Sequence, residues 1–77
     1  MKNGITILIE TRYGDLRASE KRAADYILAH MEKIRELSLE KLAKKSGVSQ
    51  PTIVRLTKAL GFKGYKELRY AVVEQLA

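Results

Sequence analysis

Polar and basic side chains in the second half of the chain have types and spacing suited to recognising a double-stranded nucleic acid. Gln50 can form two hydrogen bonds with adenine through its amide, and Arg55 can form two with O6 and N7 of guanine. Ser49, Thr52 and Lys58 suit phosphate oxygens, which hydroxyl and ammonium groups bind without reading the base sequence. The pattern predicts base reading by Gln50 and Arg55, and positioning by their neighbours.

Basic residues flank this segment and are unevenly distributed along the chain. Residues 39–77 contain eight Lys or Arg and three Asp or Glu, whereas residues 1–38 contain seven and six, so most of the net charge of +6 lies in the second half. A local basic surplus favours a polyanion-binding face. For any single lysine, a solvated side chain without a phosphate contact is about as common as a phosphate-binding one. The flanking lysines that could contact phosphates are Lys44, Lys45, Lys63 and Lys66.

The composition argues against an enzyme. The chain has no cysteine and one histidine, His30, which excludes cysteine zinc sites, thiol catalysis and a multi-histidine metal centre. We expect no cofactor and no metal, and we interpret His30 as a structural residue near a helix C-terminus. The lack of cysteine favours a reducing, cytoplasmic location, and no run approaches the roughly 20 apolar residues of a membrane span. We therefore expect a cytoplasmic protein with no membrane partner.

Apolar residues at spacings of three and four predict helices along most of the chain. Ser19, Ser38 and Ser49 are candidate N-cap residues for three of them. Gly47 and Gly61 are expected to end the second and the third of these helices. The apolar stripes that follow the three caps are Ala23, Ala24, Ile27, Leu28 and Met31; Leu39, Leu42 and Ala43; and Ile53, Leu56 and Leu60.

The two ends of the chain complete the predicted bundle. Residues 5–11 are rich in β-branched side chains and would favour a strand in isolation, but a single strand would have no partner. The apolar positions also fit a short helix ending near Tyr13 and Gly14, through Ile5, Leu8 and Ile9. A last helix is predicted by Tyr65, Leu68, Ala71, Val72 and Leu76. The expected fold is all-α, a small bundle of about five helices in one domain, residues 1–77.

Residues 39–60 have the spacing of a helix-turn-helix. Two short helices that meet at a tight turn need a small residue where they cross, here Ala43, and a glycine at the turn, here Gly47. Pro51 fits the first turn of the second helix, where its missing N–H costs little. In DNA-binding proteins this second helix lies in the major groove. The side chains expected to point outward at its start are Ser49, Gln50, Pro51, Thr52 and Arg55.

Four segments of the chain resemble the N-terminal DNA-binding domain of the RpiR family of bacterial transcriptional regulators. They are residues 19–28, 37–43, 47–55 and 60–65, the last containing Gly-Phe-Lys-Gly-Tyr. LacI-type regulators have a similar hairpin, but they place it at the very N-terminus and lack this continuation. The resemblance covers most of the chain and favours the RpiR family.

The resemblance implies a regulator of carbohydrate metabolism genes. Members of the family usually carry, after this domain, a sugar isomerase domain that binds phosphorylated sugars and regulates DNA binding. That C-terminal domain is absent from these 77 residues. A phosphosugar effector is therefore expected only through the absent domain, and the chain is either a part of a longer protein or a variant with this domain alone.

Two other classes of function remain open on sequence grounds. A helical adaptor would expose an apolar groove, and a non-specific module would bind RNA or an anionic surface regardless of duplex sequence. The small contact area of one recognition helix also predicts a homodimer on an inverted-repeat operator. Two apolar surfaces are the expected contacts, the N-terminal segment and the end of the last helix, and the alternative for both is packing within the monomer. Their residues are Ile5, Leu8, Ile9, Val73 and Leu76.

Overall fold

The computed structural model describes residues 4–76, which form six α-helices and one short 3-10 helix. The α-helices are α1 (Gly4–Arg12), α2 (Ala18–Ala29), α3 (Met31–Ile34), α4 (Leu39–Ser46), α5 (Gln50–Ala59) and α6 (Tyr65–Leu76), and the 3-10 helix is Tyr13–Asp15. The predicted all-α class is confirmed. The additional element is α3, a single turn that the sequence pattern did not separate from α2.

The apolar stripes of the helices meet in one core. Helix α2 packs against α4 and α5, which pack against each other, while α6 lies against α1, α3 and α5. The largest fully buried apolar side chains are Ile9, Ile27, Ile34, Leu42, Ile53, Leu56, Leu68 and Val72. Because burying each such side chain contributes roughly 1.5 to 3 kcal/mol, the core holds α2, α4 and α5 in a fixed arrangement.

Helix α1 confirms the prediction of a helix where the β-branched run would favour a strand. Ile5 and Ile9 are buried in the core. The Nη1 group of Arg12 donates a hydrogen bond to the carbonyl of Ala59, at the end of α5, over 2.9 Å. Of the two possibilities for Ile5 and Ile9, contact with a second copy or packing within the monomer, the structure favours packing within the monomer.

Helix α2 begins and ends differently from the prediction. Its N-cap is Arg17, not Ser19, because Oε1 of Glu20 reaches back to accept the N–H of Arg17 over 3.1 Å. The helix ends at Ala29, and the backbone leaves helical geometry at His30, with φ −133° and ψ 39°. Met31 therefore lies in α3 and not at the end of the α2 stripe.

Tyr65 ties the start of α6 to the segment before α4. Its hydroxyl donates a hydrogen bond to the carbonyl of Leu37 over 2.6 Å and lies 3.5 Å from the carbonyl of Ile34. Burial raises the pKa of Tyr65 to about 12, although the nearby positive charge of Arg69 acts in the opposite direction. The phenol therefore stays neutral where an exposed tyrosine would already ionise.

We expect Tyr65→Phe to lower the free energy of unfolding by about 1 to 2 kcal/mol, because the buried carbonyl of Leu37 loses its donor while the ring remains. Tyr70→Phe is the matched control, since Tyr70 is exposed and its hydroxyl bonds the exposed Glu74, over 3.4 Å. Urea denaturation of both variants at neutral pH measures the difference. Equal stability of the two variants would contradict the assigned role of the Tyr65 hydroxyl.

The same tyrosine gives a pH dependence. In the unfolded chain its phenol ionises near pH 10, whereas in the folded chain it stays protonated until about pH 12. Between these values the folded state therefore binds more protons than the unfolded state. The contribution of Tyr65 to the free energy of unfolding is fully present below pH 10 and is lost as the pH rises toward 12. Tyr65→Phe should reduce this alkaline slope, measured by urea denaturation from pH 8 to 11.

Candidate nucleic-acid interface

The turn between α4 and α5 is built by local hydrogen bonds. Ser38 caps α4, since its Oγ accepts the N–H of Lys41 over 3.2 Å. At the other end Gly47 adopts φ 72° and ψ 32°, a left-handed conformation. Its N–H donates to the carbonyl of Lys44 over 3.2 Å, and the N–H of Val48 donates to the carbonyl of Ala43 over 3.0 Å. This pair of bonds closes the helix and directs the chain into α5, as the glycine pattern predicted.

Helix α5 starts at an exposed N-terminus. Ser49 is its N-cap, with Oγ accepting the N–H of Thr52 over 3.2 Å, and Pro51 lies in the first turn. The predicted N-cap role of Ser49 and the predicted place of Pro51 in the first turn are confirmed. Pro51 has no N–H and that of Thr52 is bound by Ser49, so the attraction of this end of α5 for a phosphate rests on the positive end of the helix dipole.

One side of α5 faces solvent. With about 3.6 residues per turn, the residues of this side lie along one stripe of the helix, and we call it the outer face of α5. Four of its side chains are exposed and Val54, between them, is half-buried. The outer face consists of Gln50, Pro51, Val54, Arg55 and Lys58.

Thr52 does not point outward as predicted. Its side chain is only 4% exposed, on the side of α5 that packs against the protein. The hydroxyl lies 2.9 Å from Oγ of Ser49 and accepts a hydrogen bond from Nη2 of Arg55 over 3.1 Å. Thr52 follows the same inward stripe as Ile53 and Leu56, and its hydroxyl is used within the protein.

Arg55 is anchored at one edge and open at the other. Its side chain is 49% exposed, and Nε lies 3.6 Å from Oε2 of Glu20, a carboxylate of α2. This separation is an ion pair and is too long for a direct hydrogen bond. Together with the bond to Thr52, it holds the guanidinium at the border between α2 and the outer face of α5.

The predicted phosphate-binding lysines are all exposed. Lys44 and Lys45 occupy the last turn of α4, where a positive charge interacts favourably with the helix dipole. They border a shallow groove together with Glu36. Lys58 lies in the last turn of α5. Lys63 and Lys66 border a second groove beside Tyr70. Lys58 therefore shares the outer face of α5 with Gln50, whereas Lys44 and Lys45 lie on α4, Lys63 lies before α6 and Lys66 lies on α6.

Two arginines from the nearly neutral half of the chain also reach the helix-turn-helix. Nη1 of Arg22 lies 3.3 Å from the carbonyl of Gly47, at the turn, and Arg12 binds the carbonyl at the end of α5. Sequence reasoning missed both arginines and the outward Val54. Helical spacing alone could have placed Val54, but the positions of the arginines depend on how α1 and α2 dock.

Over residues 4–76, no helix combines the length and apolar character needed to cross a bilayer. In the same part of the chain, no three His, Asp or Glu side chains are grouped so as to hold a metal ion.

Comparison with known proteins identifies a matching family. The helix-turn-helix domain of the rpiR family matches residues 3–77. The chain is 41% identical, over 75 residues, to the uncharacterized HTH-type transcriptional regulator YfhH of Escherichia coli strain K12. The alignment covers 97% of this chain and 26% of YfhH, so the chain spans about a quarter of the length of that relative.

Two solved structures are similar to this one. The crystal structure of the N-terminal domain of the transcriptional regulator ybbH from Bacillus subtilis has a TM-score of 0.88 and 33% identity, and the match covers 97% of this chain and 92% of that domain. The NanR protein of Vibrio vulnificus, complexed with ManNAc-6P, has a TM-score of 0.91 and 26% identity. That match covers 95% of this chain and 28% of NanR.

Proposed function

The chain belongs to the rpiR family of helix-turn-helix domains. From this premise we propose that it is the DNA-binding domain of a transcriptional regulator and that it binds a specific double-stranded DNA operator. The observation that carries the proposal is the outer face of α5, where Gln50 lies at the exposed N-terminus of the helix and Arg55 and Lys58 follow along the same stripe. No enzymatic role is proposed for this domain.

Each side chain of the outer face has a role in the proposal. The amide of Gln50 suits adenine, and the free end of the Arg55 guanidinium suits guanine. Val54 adds an apolar surface that suits the methyl group of thymine. Ser49, Pro51 and Lys58 border the phosphates on either side, and Thr52 acts indirectly by holding Arg55.

Selection from a random duplex library tests the proposal. We expect a defined site whose affinity exceeds that for random duplex by at least a factor of about 10³ at physiological salt. The alternatives predict other results: a non-specific module would bind random duplex, RNA and anionic vesicles with similar affinity, and a helical adaptor would bind none of them. Either result would refute the proposed function.

We expect Lys44→Ala to weaken binding to specific and random duplexes by the same factor, because phosphate contacts carry no sequence information. Loss of one phosphate contact should reduce the slope of log affinity against log salt by about one. Lys33→Ala is the matched control, since Lys33 is an exposed lysine on α3. Fluorescence anisotropy between 50 and 200 mM salt measures both slopes, and identical slopes for the two variants would contradict the role of Lys44.

The proposed working unit is a homodimer on an inverted repeat. A single module of this size buries roughly 600 to 1,000 Å² on DNA, which is small for selecting one site in a genome. Two-fold symmetry would place the half-sites about 10 base pairs, or a multiple, apart. Since Ile5 and Ile9 belong to the core and Leu8 packs against it, the proposed contact is formed by Val73 and Leu76 or by a further domain. Footprinting tests the homodimer. A short, non-palindromic site occupied by one copy would contradict it.

The wider role proposed is control of phosphosugar metabolism genes in the cytoplasm. NanR, which shares this fold at 26% identity, is complexed with ManNAc-6P, and this chain matches only 28% of NanR. A C-terminal sugar isomerase domain in a longer protein would supply such an effector site. Titration of sugar phosphates should therefore change the DNA affinity of a protein with that domain, and leave the affinity of these 77 residues unchanged.

A further inference from the structure

Glu20 lies where the start of α2 meets the outer face of α5. Its side chain is 8% exposed, and its two oxygens have different partners. Oε1 accepts the N–H of Arg17 over 3.1 Å, which closes the first turn of α2. Oε2 faces Nε of Arg55 at 3.6 Å. One carboxylate therefore links the fold of α2 to the orientation of a side chain on α5.

The two contacts of Arg55 involve two of its three guanidinium nitrogens. Nε faces Glu20, and Nη2 donates to Oγ1 of Thr52 over 3.1 Å. Of the five N–H groups of a guanidinium, both on Nη1 and the second one on Nη2 are left for a ligand. Nη1 and Nη2 are the pair that can form two parallel hydrogen bonds with O6 and N7 of guanine.

The cap of α2 does not by itself require a carboxylate. A glutamine in the same place can accept the N–H of Arg17 equally well, as capping boxes use both residue types. A buried carboxylate is costly unless it faces a positive group, and here Arg55 supplies one. The ion pair with Arg55 therefore explains why a carboxylate occupies this position, since the cap of α2 uses only one of its oxygens.

We propose that Glu20 is a positioning residue that sets the base specificity of α5 by orienting Arg55. The inference rests on the proposed sequence-specific DNA binding. Glu20 itself is buried and does not touch DNA. By holding the Nε edge of Arg55, it presents the Nη1 and Nη2 end toward the groove, which lowers the entropy lost when guanine is bound.

The variant Glu20→Gln tests this orientation with little change to α2. Its amide oxygen can still accept the N–H of Arg17, whereas its NH₂ group would meet the Nε–H of Arg55 as donor against donor. We expect the base pair whose preference depends on Arg55 to lose discrimination by about tenfold, with unchanged or slightly stronger binding to random duplex. Thermal denaturation of the variant checks that the fold is kept.

Glu40→Gln is the matched control, because Glu40 is an exposed carboxylate in the first turn of α4. It removes the same charge from the same kind of helical position, so it should leave base discrimination as in the unmodified protein. Adding Glu20→Gln to Arg55→Ala should cause no further loss at that base pair, because the two residues would act as one unit. A purely structural role of Glu20 would instead make the two losses add.

The outcomes separate the inference from the proposed function. If Arg55→Ala relaxes one base pair but Glu20→Gln does not, the inference is overturned and specific binding stands. If the unmodified protein selects no sequence, both are overturned. Should Glu20→Gln fail to fold, nuclear magnetic resonance of the Nε–H of Arg55 in the unmodified protein decides. The peak is assigned through Arg55→Lys, and restricted motion of the Nε–H group supports the inference, while a freely averaging side chain overturns it.

Discussion

Replacing Gly47 with valine is expected to lower the free energy of unfolding by about 2 to 3 kcal/mol and to reduce DNA affinity with it. Gly47 has φ 72°, a left-handed conformation that glycine adopts freely and a β-branched residue strongly resists. A chain that avoids this conformation cannot keep the hydrogen bonds that close α4 and lead into α5. The expected loss can be measured by urea denaturation.

The cause of this loss is conformational and not a steric clash. A Cβ atom at Gly47 would have its nearest neighbour, Cδ of Arg22, at an ordinary contact distance of 3.9 Å. Gly47→Asn should therefore retain most of the stability, because asparagine tolerates the left-handed region. Gly14→Val is a second control, since a Cβ there meets nothing within 4 Å and its φ is not positive. If Gly47→Val had the same free energy of unfolding as the unmodified protein, the left-handed conformation assigned to this turn would be contradicted.

Arg55→Ala should weaken binding to the best duplex by about 1 to 3 kcal/mol and relax the preference at one base pair. The substitution removes the proposed base contact, and it also leaves the Glu20 carboxylate without its positive neighbour. A decrease in stability should accompany the loss of affinity, so binding is measured at a temperature where circular dichroism finds the variant folded.

Lys58→Ala is the matched control for Arg55→Ala, because it removes a positive charge from the same face of α5. As a proposed phosphate contact, Lys58 should affect all duplexes alike. The ratio of specific to random affinity therefore separates the two variants. An equal loss on specific and random DNA for Arg55→Ala would show that Arg55 reads no base.

The caps and the turn of the helix-turn-helix could be predicted from the sequence because their interactions are local. Ser38 and Ser49 each accept a backbone N–H three residues further on, and Gly47 completes bonds to the preceding turn. A serine before an apolar stripe and a glycine after it are sufficient signals for such contacts. The positions of α4 and α5 followed directly from them.

The partners across helices could not be predicted in the same way. Glu20 was not among the candidate residues predicted from the sequence, but its second oxygen faces Arg55, 35 positions later. The burial of Thr52 and the contact of Arg22 with the turn depend likewise on how α2 docks against α4 and α5. Residue types indicate what a side chain can bind, whereas the angle between helices decides which group it meets.

The contact between the two ends of the described chain bears on the order in which the fold assembles. Oε1 of Gln75 accepts the N–H of Ile5 over 3.2 Å, across 70 positions of sequence. Closing so long a loop costs more entropy than bringing α4 against α5, which are neighbours along the chain. Since local contacts form fastest, the helix-turn-helix can assemble before the ends meet.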